Sequence, residues 1–359
     1  MRSSNLRSSV LRSNVLLCSV LRCGILQCSV LRSNVLRWTD LRRNGYNRGK
    51  GNTENVSGKR GIAMKILNFG SLNIDYVYKV DHIVQKGETQ HSISRSVFSG
   101  GKGLNQSVAL AKAGLPVYHA GCIGVGGEFL LDVLHESGVD TSLVKVLEDT
   151  PSGHTVIQNS KDGDNCILLF GGANQCITEE FCDEVLSNFS AGDYLVLQNE
   201  ISSIPHLIKK AHERGLQIVL NPSPMTEEIK TWPLECIDYF FVNEIEASQL
   251  TGEASDDEDA LVSGLRKTFP NAHVVLTLGK NGSCYLHGDT KLHQDAVRVK
   301  TVDTTAAGDT FSGFFLSGIL SGRTPGEALE LAAKAAAIAV TRPGAAPSIP
   351  TMEEIEEIR

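Results

Sequence analysis

The stretch Thr301-Val302-Asp303-Thr304-Thr305-Ala306-Ala307-Gly308-Asp309-Thr310-Phe311 constrains the fold more than any other part of the chain. Upstream, Gln294 to Val302 is rich in β-branched residues and reads as a strand. Downstream, Thr310 to Leu320 alternates bulky apolar and small residues, as a buried helix does. Between the two, Ala306, Ala307 and Gly308 carry almost no side chain, so the first-turn amides of the helix, which lack intrahelical acceptors, lie bare. Bare amides and the helix dipole together attract an anion. Asp309 then sets a carboxylate beside that anion site, an arrangement that repels for binding alone. It makes sense if the carboxylate acts on a nucleophile that attacks the anion. Helix capping is the plainer role for an Asp here, but capping does not require Ala-Ala-Gly in front of it.

Four further stretches carry polar residues at or beside the ends of expected strands. Lys65 to Gly70 is a buried first strand, followed by Asn73 and Asp75 where the chain leaves the sheet, the place where open α/β sheets bind ligands. An Asx turn accounts for either residue equally well. Ser99-Gly100-Gly101-Lys102-Gly103-Leu104-Asn105-Gln106 precedes a helix through Ser107–Ala113. It is not a Walker loop, since Gly103 follows the lysine and Ser96 stands where the first glycine belongs; nor is it a dinucleotide fingerprint, since Gln106 replaces the third glycine. What remains is backbone pressed close to a small polar ligand, with Lys102 and Asn105 aimed at it. Asn243-Glu244-Ile245-Glu246 has the spacing of a capping box at the start of a helix. Thr277-Leu278-Gly279-Lys280-Asn281-Gly282 is a turn into Ser283–Leu286.

These motifs resemble, in order, the signatures of the ribokinase family, the phosphofructokinase-B superfamily of sugar and nucleoside kinases. The resemblance runs from Met64 to about Ile358. It implies an α/β fold, a ribokinase-like three-layer α/β/α sandwich with a small β-sheet lid. Short polar strands at Tyr76–Val80 and His91–Phe98 and the hairpin Thr155–Asn159/Cys166–Phe170 would build the lid, and two lids would pair in a homodimer. The implied reaction is phosphoryl transfer from ATP to the 5-hydroxyl of D-ribose. Asp309 would be the general base, and the amides of Ala306, Ala307, Gly308 and Asp309 would stabilise the transferring group. Asn73, Asp75, Gly101, Lys102, Asn105 and Glu200 would hold the sugar. Glu200 follows the strand end at Gln198-Asn199, where a lone Glu is usually solvated. Asn243, the Thr277–Gly282 loop, Gly308 and Asp309 would hold ATP, and Glu246 would organise Mg²⁺ through water. An irregular Gly/Pro-rich segment follows the helix Ala328–Val340 and would hold K⁺ through Asp303, Thr305, Ala339, Arg342, Gly344 and Ser348. The helix position that often carries His or Asn near adenine is Ala333 here. The rival readings are a kinase of deoxyribose, fructose or a nucleoside, and a non-catalytic sugar sensor.

The rest of the chain fits this frame. Strand and helix alternate at Tyr194–Gln198, Ile204–Glu213, Gln217–Leu220, Tyr239–Val242, Ala260–Thr268 and Val274–Leu278, the rhythm of a mostly parallel sheet covered on both faces. No apolar run approaches the ~20 residues that span a bilayer. The nine cysteines form no C-x-x-C pair and no zinc spacing with His, and read as reduced thiols of a cytoplasmic protein. Net charge is −7, but the first 63 residues carry roughly +10 and the remainder roughly −17. An acidic body is a poor nucleic-acid binder. Residues 1–43 place a Leu every fifth position from Leu6 to Leu41, a step that does not line one helical face. This segment reads as a pentapeptide-type solenoid edge, an Arg/Ser-rich transit peptide or upstream sequence read in frame, and Gly49–Gly61 as a linker. The expected kinase domain is 64–359.

Overall fold

The computed structural model describes residues 64–357. The five-residue repeat and the linker expected within 1–63 lie outside the described residues. Strand β1 (Ile66–Phe69) opens a large sheet, and β2 (Asn73–Lys79) and β3 (Ser94–Gly100) leave it to begin a smaller one. Helix α1 (Lys102–Lys112) returns to β4 (Val117–Val125), and α2 (Glu128–Glu136) leads to β5 (Asp140–Pro151). The hairpin β6 (Gly153–Asn159) and β7 (Asn165–Phe170) completes the small sheet. Then follow α3 (Glu179–Leu186), β8 (Tyr194–Gln198), α4 (Ile204–Glu213), β9 (Gln217–Asn221), β10 (Tyr239–Asn243), α5 (Glu244–Thr251), α6 (Glu258–Thr268) and β11 (His273–Thr277). The chain ends through β12 (Ser283–His287), β13 (Thr290–Gln294), α7 (Ala307–Leu320), α8 (Pro325–Ala339) and α9 (Met352–Glu356).

The large sheet has nine strands in the order β13-β12-β11-β10-β9-β8-β1-β4-β5, parallel except for β12 and β13 at one edge. Its inner strands are continuous apolar runs such as Tyr194-Leu195-Val196-Leu197, because a parallel sheet is covered on both faces. Successive side chains point to opposite faces. Leu67, Leu195 and Leu197 pack with Val185, Leu207 and Leu261 of α3, α4 and α6, whereas Ile66 and Val196 pack with Leu104, Phe314 and Leu331 of α1, α7 and α8. These are the three layers. The small sheet, in the order β3-β2-β6-β7, is the lid.

Helices α1 and α7 meet along matched rows four residues apart, the i, i+4 ridges through which helices commonly pack. The amide of Asn105 reaches Asp309, the backbone at Gly313 lies against Ala109, and the Ser317 hydroxyl donates to the Ala113 carbonyl (2.7 Å). A Cβ at Gly313 would stand 2.6 Å from that of Ala109, so only glycine lets the helices come this close.

Four expectations need correction. Only Gln294 of the expected strand Gln294–Val302 is in a strand; residues 295–302 run past the sheet edge with Val297, Val299 and Val302 exposed. The β-branched pattern marked an extended backbone, but strand propensity expresses packing on a pleated surface and no partner strand lies there. Asn73 and Asp75 do not stand at the end of a strand of the main sheet. They open β2, laddered to Gly100 and Phe98 of β3 and to Gly153 and Thr155 of β6. The helix expected through Ser107–Ala113 begins at Lys102, which puts Lys102 and Asn105 in its first turn. Glu200, a sugar contact by the resemblance and a solvated side chain by the plainer reading, is partly buried and hydrogen-bonded, which removes the plainer reading.

Candidate active site

Asp309 is the third residue of α7 and is buried. The cap position is Ala306, and no side chain caps the helix, which removes the capping account of Asp309. Its carboxylate instead accepts from the side-chain amides of Asn105 (Nδ2, 3.1 Å) and Gln106 (Nε2, 3.0 Å) in the first turns of α1. Those amides hold the carboxylate from one side, and Asp309 lines a cleft of about 240 Å³ on the other.

Ala306 adopts the left-handed conformation (φ 58°), which costs a non-glycine residue on the order of 1 kcal/mol or more. The kink turns the chain abruptly into α7. The Ala307 amide bonds back to the Thr304 carbonyl (3.2 Å), and the first helical bond is Thr310 N to Ala306 O (2.8 Å). The amides of Gly308 and Asp309 therefore remain as the bare first-turn donors at the cleft. Ala306, Ala307 and Gly308 all line it.

Lys102 lines the same cleft from the start of α1. Burial of its ammonium lowers the pKa, and the surrounding carboxylates of Asp309, Glu200 and Glu246 more than offset this, holding the group charged above its usual value. Glu200 accepts from the Lys102 backbone amide (3.0 Å) and from the Ser71 hydroxyl, so it fixes the start of α1. Gly101, at φ 93°, makes the turn before it, where a side chain would meet the Ser71 carbonyl.

On the lid side, Asp75 accepts from the Thr155 hydroxyl (2.6 Å). Burial pushes its pKa up to about 6; the Thr155 bond lowers it, and the charge of Glu200 raises it further. Asn73 is buried, its Oδ1 accepting from the amide of Asn174 (2.7 Å). The Oδ1 atom of Asn105 is buried and has no donor within reach.

On the opposite side, Asn243 and Glu246 form the capping box expected of them: Glu246 N donates to Asn243 Oδ1 (2.9 Å) and Asn243 N to Glu246 Oε2 (3.0 Å). Both line the cleft, as does Thr277 at the end of β11. The rest of that turn, Leu278 to Gly282, links β11 to β12 as a hairpin with a 3₁₀ turn and does not line the cleft. The segment after α8 closes on Asp303, whose carboxylate accepts from the Thr305 amide (2.9 Å) and hydroxyl (2.6 Å) and from the Gly344 amide (2.9 Å). Arg342 turns its guanidinium to Glu354 (2.7 Å), and Ser348 is buried, its hydroxyl donating to the Ala345 carbonyl (2.7 Å). The Ala339 carbonyl accepts from the Arg342 amide (3.1 Å).

The profile of the pfkB family carbohydrate kinases matches residues 63–352. The chain belongs to this family. The ribokinase of Schizosaccharomyces pombe is 35% identical over 310 residues, covering 82% of this chain and 97% of that one. The crystal structure of Cryptococcus neoformans ribokinase in complex with ADP superposes with a TM-score of 0.73 at 32% identity, over 82% of this chain and 99% of that one. Arabidopsis thaliana ribokinase complexed with ribose and ATP gives a TM-score of 0.73 at 29% identity, over 82% and 98%. This chain is thus a carbohydrate kinase of the ribokinase type.

Two parts of this kinase site escaped the sequence reading. Gln106, read there only as a missing glycine, holds one oxygen of Asp309. Its own amide is oriented by Gln198, whose Nε2 donates to Gln106 Oε1 (2.7 Å) and Asn68 Oδ1 (3.0 Å); Asn68 Nδ2 in turn donates to the Gly103 carbonyl and the Ser107 hydroxyl (both 2.8 Å). Asn68, Gln198 and Gln106 are all buried, two of them inside otherwise apolar strands. A polar residue in a buried strand was the available signal, since such groups persist only when hydrogen-bonded. The second part is Asn174, whose side chain ties the Leu72 backbone and Asn73 together from a 3₁₀ turn. Nothing local in the sequence marked it.

Proposed function

We propose that this kinase phosphorylates D-ribose at its 5-hydroxyl with ATP, giving ribose 5-phosphate and ADP. The observation that carries the reading is the Asp309 carboxylate, buried and fixed by Asn105 and Gln106 beside the bare amides of Gly308 and Asp309. The proton of the sugar hydroxyl passes to Asp309 as its oxygen bonds to the γ-phosphorus, and the bond to the bridging oxygen of ADP breaks. Negative charge on the transferring group meets the amides of α7 and the ammonium of Lys102.

The sugar lies toward the lid. Asp75, Asn73, Asn105, Gly101 and Lys102 face it, and a sugar hydroxyl supplies the donor that Asn105 Oδ1 lacks. Glu200 contributes by fixing the start of α1. ATP occupies the side of the cleft lined by Asn243, Thr277 and Gly308, with the Leu278–Gly282 turn beyond it. Glu246 uses one oxygen on the capping box and has the other for a water of Mg²⁺, which commonly keeps several waters. K⁺ would be held at the loop of Asp303, Thr305 and Gly344, where the Arg342 guanidinium pairs with Glu354 instead of with Asp303. Bound there, K⁺ would supply positive charge behind the Ala306 turn, and Mg²⁺ held through Glu246 would supply it beside the phosphates.

Edge strand β7 exposes Ile167, Leu168 and Phe170, and β3 exposes Val97 and Phe98. A second lid covers these in a homodimer. Among the described residues no helix is long and apolar enough to cross a membrane, and the six cysteines there are free thiols, which fits a reducing, cytoplasmic setting. The test is ADP release by the full chain with Mg-ATP on ribose, deoxyribose, fructose and adenosine, with and without K⁺. K⁺-stimulated turnover highest on ribose is the expected result. Higher kcat/KM on another acceptor replaces the substrate, and silence from a folded, ribose-binding protein removes the catalytic reading.

A further inference from the structure

Away from the cleft, the antiparallel hairpin β12–β13 places Cys284 directly opposite His293. Glu258, the first residue of α6, closes on the same pair. The Cys284 sulfur lies 3.3 Å from His293 Nδ1 and 3.5 Å from Glu258 Oε1, and one donor atom from each of the three residues lies within 4.8 Å of the others. A tetrahedral Zn²⁺, with bonds of roughly 2.3 Å to sulfur and 2.0–2.1 Å to nitrogen or oxygen, sets its donors about 3.3–3.6 Å apart. The two sulfur distances match the edges of such a tetrahedron. We propose that Glu258, Cys284 and His293 form a zinc site, with water in the fourth position, that ties the β12–β13 edge of the sheet to α6.

Two further features support it. The far nitrogen of His293, Nε2, lies 3.4 Å from the Asp295 carboxylate, the outer partner that fixes the tautomer and orientation of a metal-bound imidazole. The donor set of thiolate, imidazole and carboxylate is the one zinc takes. The charges around the site favour a cation as well. Lys291 pairs with Glu258 (3.1 Å) and also reaches Asp259 (3.5 Å), to which it shifts when Glu258 turns to a metal. Cys284 and His293 are nine positions apart in sequence, a separation with no metal-motif meaning; strand register alone brings them together.

The test uses the full chain, stripped with a chelator and titrated with Co²⁺ under reducing, oxygen-free conditions. One Co²⁺ per chain is expected, with a sulfur-to-cobalt charge-transfer band and tetrahedral d–d bands that stoichiometric Zn²⁺ abolishes. Cys284→Ser should remove the charge-transfer band. Because Cys284 is fully buried, that variant could fail to fold, so His293→Ala and Glu258→Gln, which keep all nine cysteines, are decisive. Each should weaken Co²⁺ binding at least tenfold, and Asp295→Asn about tenfold. Zn²⁺ should raise the Tm of the stripped protein and not that of His293→Ala. No band in the wild type, or a band undiminished in His293→Ala and Glu258→Gln, overturns the proposal.

Discussion

Asp303 and Asp309 stand six residues apart on either side of the left-handed Ala306, and the fold treats them in opposite ways. Asp303, partly exposed, accepts two backbone amides and one hydroxyl, from Thr305 in its own turn and from Gly344 in the segment after α8. Burial pushes its pKa up, and these bonds more than offset it, leaving the carboxylate below its usual range. Asp309 is buried and takes no backbone amide; its partners are two side chains from another helix, and part of its surface meets the cleft. Asp303 is thus bound into the turn, whereas Asp309 keeps part of its carboxylate toward the cleft, where a substrate hydroxyl can reach it. The first way to break the comparison is to remove each charge. Asp309→Asn should lose a hundredfold or more in turnover while its Tm changes little, because Asn105, whose Oδ1 is unpartnered, can turn its amide to receive the new donor. Asp303→Ala should do the reverse in kind: a loss of about 2 kcal/mol of stability from three broken bonds and a lost response to K⁺. Equal losses of turnover at unchanged stability in both variants would erase the distinction.

The second way is to move the helix that holds Asp309 without touching the carboxylate. A side chain at Gly313 meets Ala109 one turn beyond the Asn105–Asp309 contact. Gly313→Val should force α1 and α7 apart, costing about 1–3 kcal/mol of stability and about tenfold in kcat, with the KM for ATP less affected. Urea denaturation and steady-state kinetics read the two effects. An unchanged kcat would mean that the clamp tolerates a shifted α1.

The two aspartates also show how much of the site the sequence made legible. Asp309 was visible because its neighbours are abnormal: Ala-Ala-Gly at a helix start exposes amides, a local feature. The order of strands and helices from Tyr194 to Leu278 was visible for a similar reason, since runs and periods are local too. The partners of Asp309 were only half visible, because Gln106 and Gln198 act through contacts 203 and 92 positions away in the chain. The segment 295–302 misled for the complementary reason: a strand requires a neighbour, and its composition is silent on whether one is there. Strand β5 went unseen because its polar positions, Lys145, Glu148 and Asp149 among them, hide an edge strand among loop-like residues.

A third carboxylate sharpens the contrast through pH. Asp75 has a folded pKa near 6, raised by burial first of all, against about 3.9 for a free Asp. The folded state therefore binds the proton more tightly than the unfolded one, so the stabilisation is complete below about pH 4 and is lost as pH rises through 6. The wild type should lose about 1–3 kcal/mol relative to Asp75→Asn across that window, measured by denaturation at pH 4 and pH 8. Ribose binding should run the opposite way, since the ionised carboxylate is the better acceptor of sugar hydroxyls: KM for ribose should rise several-fold as pH falls from 7 to 5. A flat KM in the wild type would take Asp75 out of sugar binding.

The smallest effect expected tests the turn between the two aspartates. Ala306 holds φ 58° without the freedom of glycine, and no side chain caps α7 there, so its conformation is imposed by what lies on either side. On one side the Asp303 carboxylate draws Thr305 and Gly344 together; on the other, α7 is locked against α1 at Gly313 and Ser317. If those two anchors fix the turn, Ala306→Gly relieves strain without releasing the loop. Stability should then rise by about 1 kcal/mol and kcat should stay within about twofold, as the amides of Gly308 and Asp309 keep their directions. If Ala306 itself restrains the turn, the glycine variant should gain no stability and should lose turnover. The same substitution in the Asp303→Ala background separates the anchors: with the loop already slack, the added freedom should cost activity that it does not cost in the wild type.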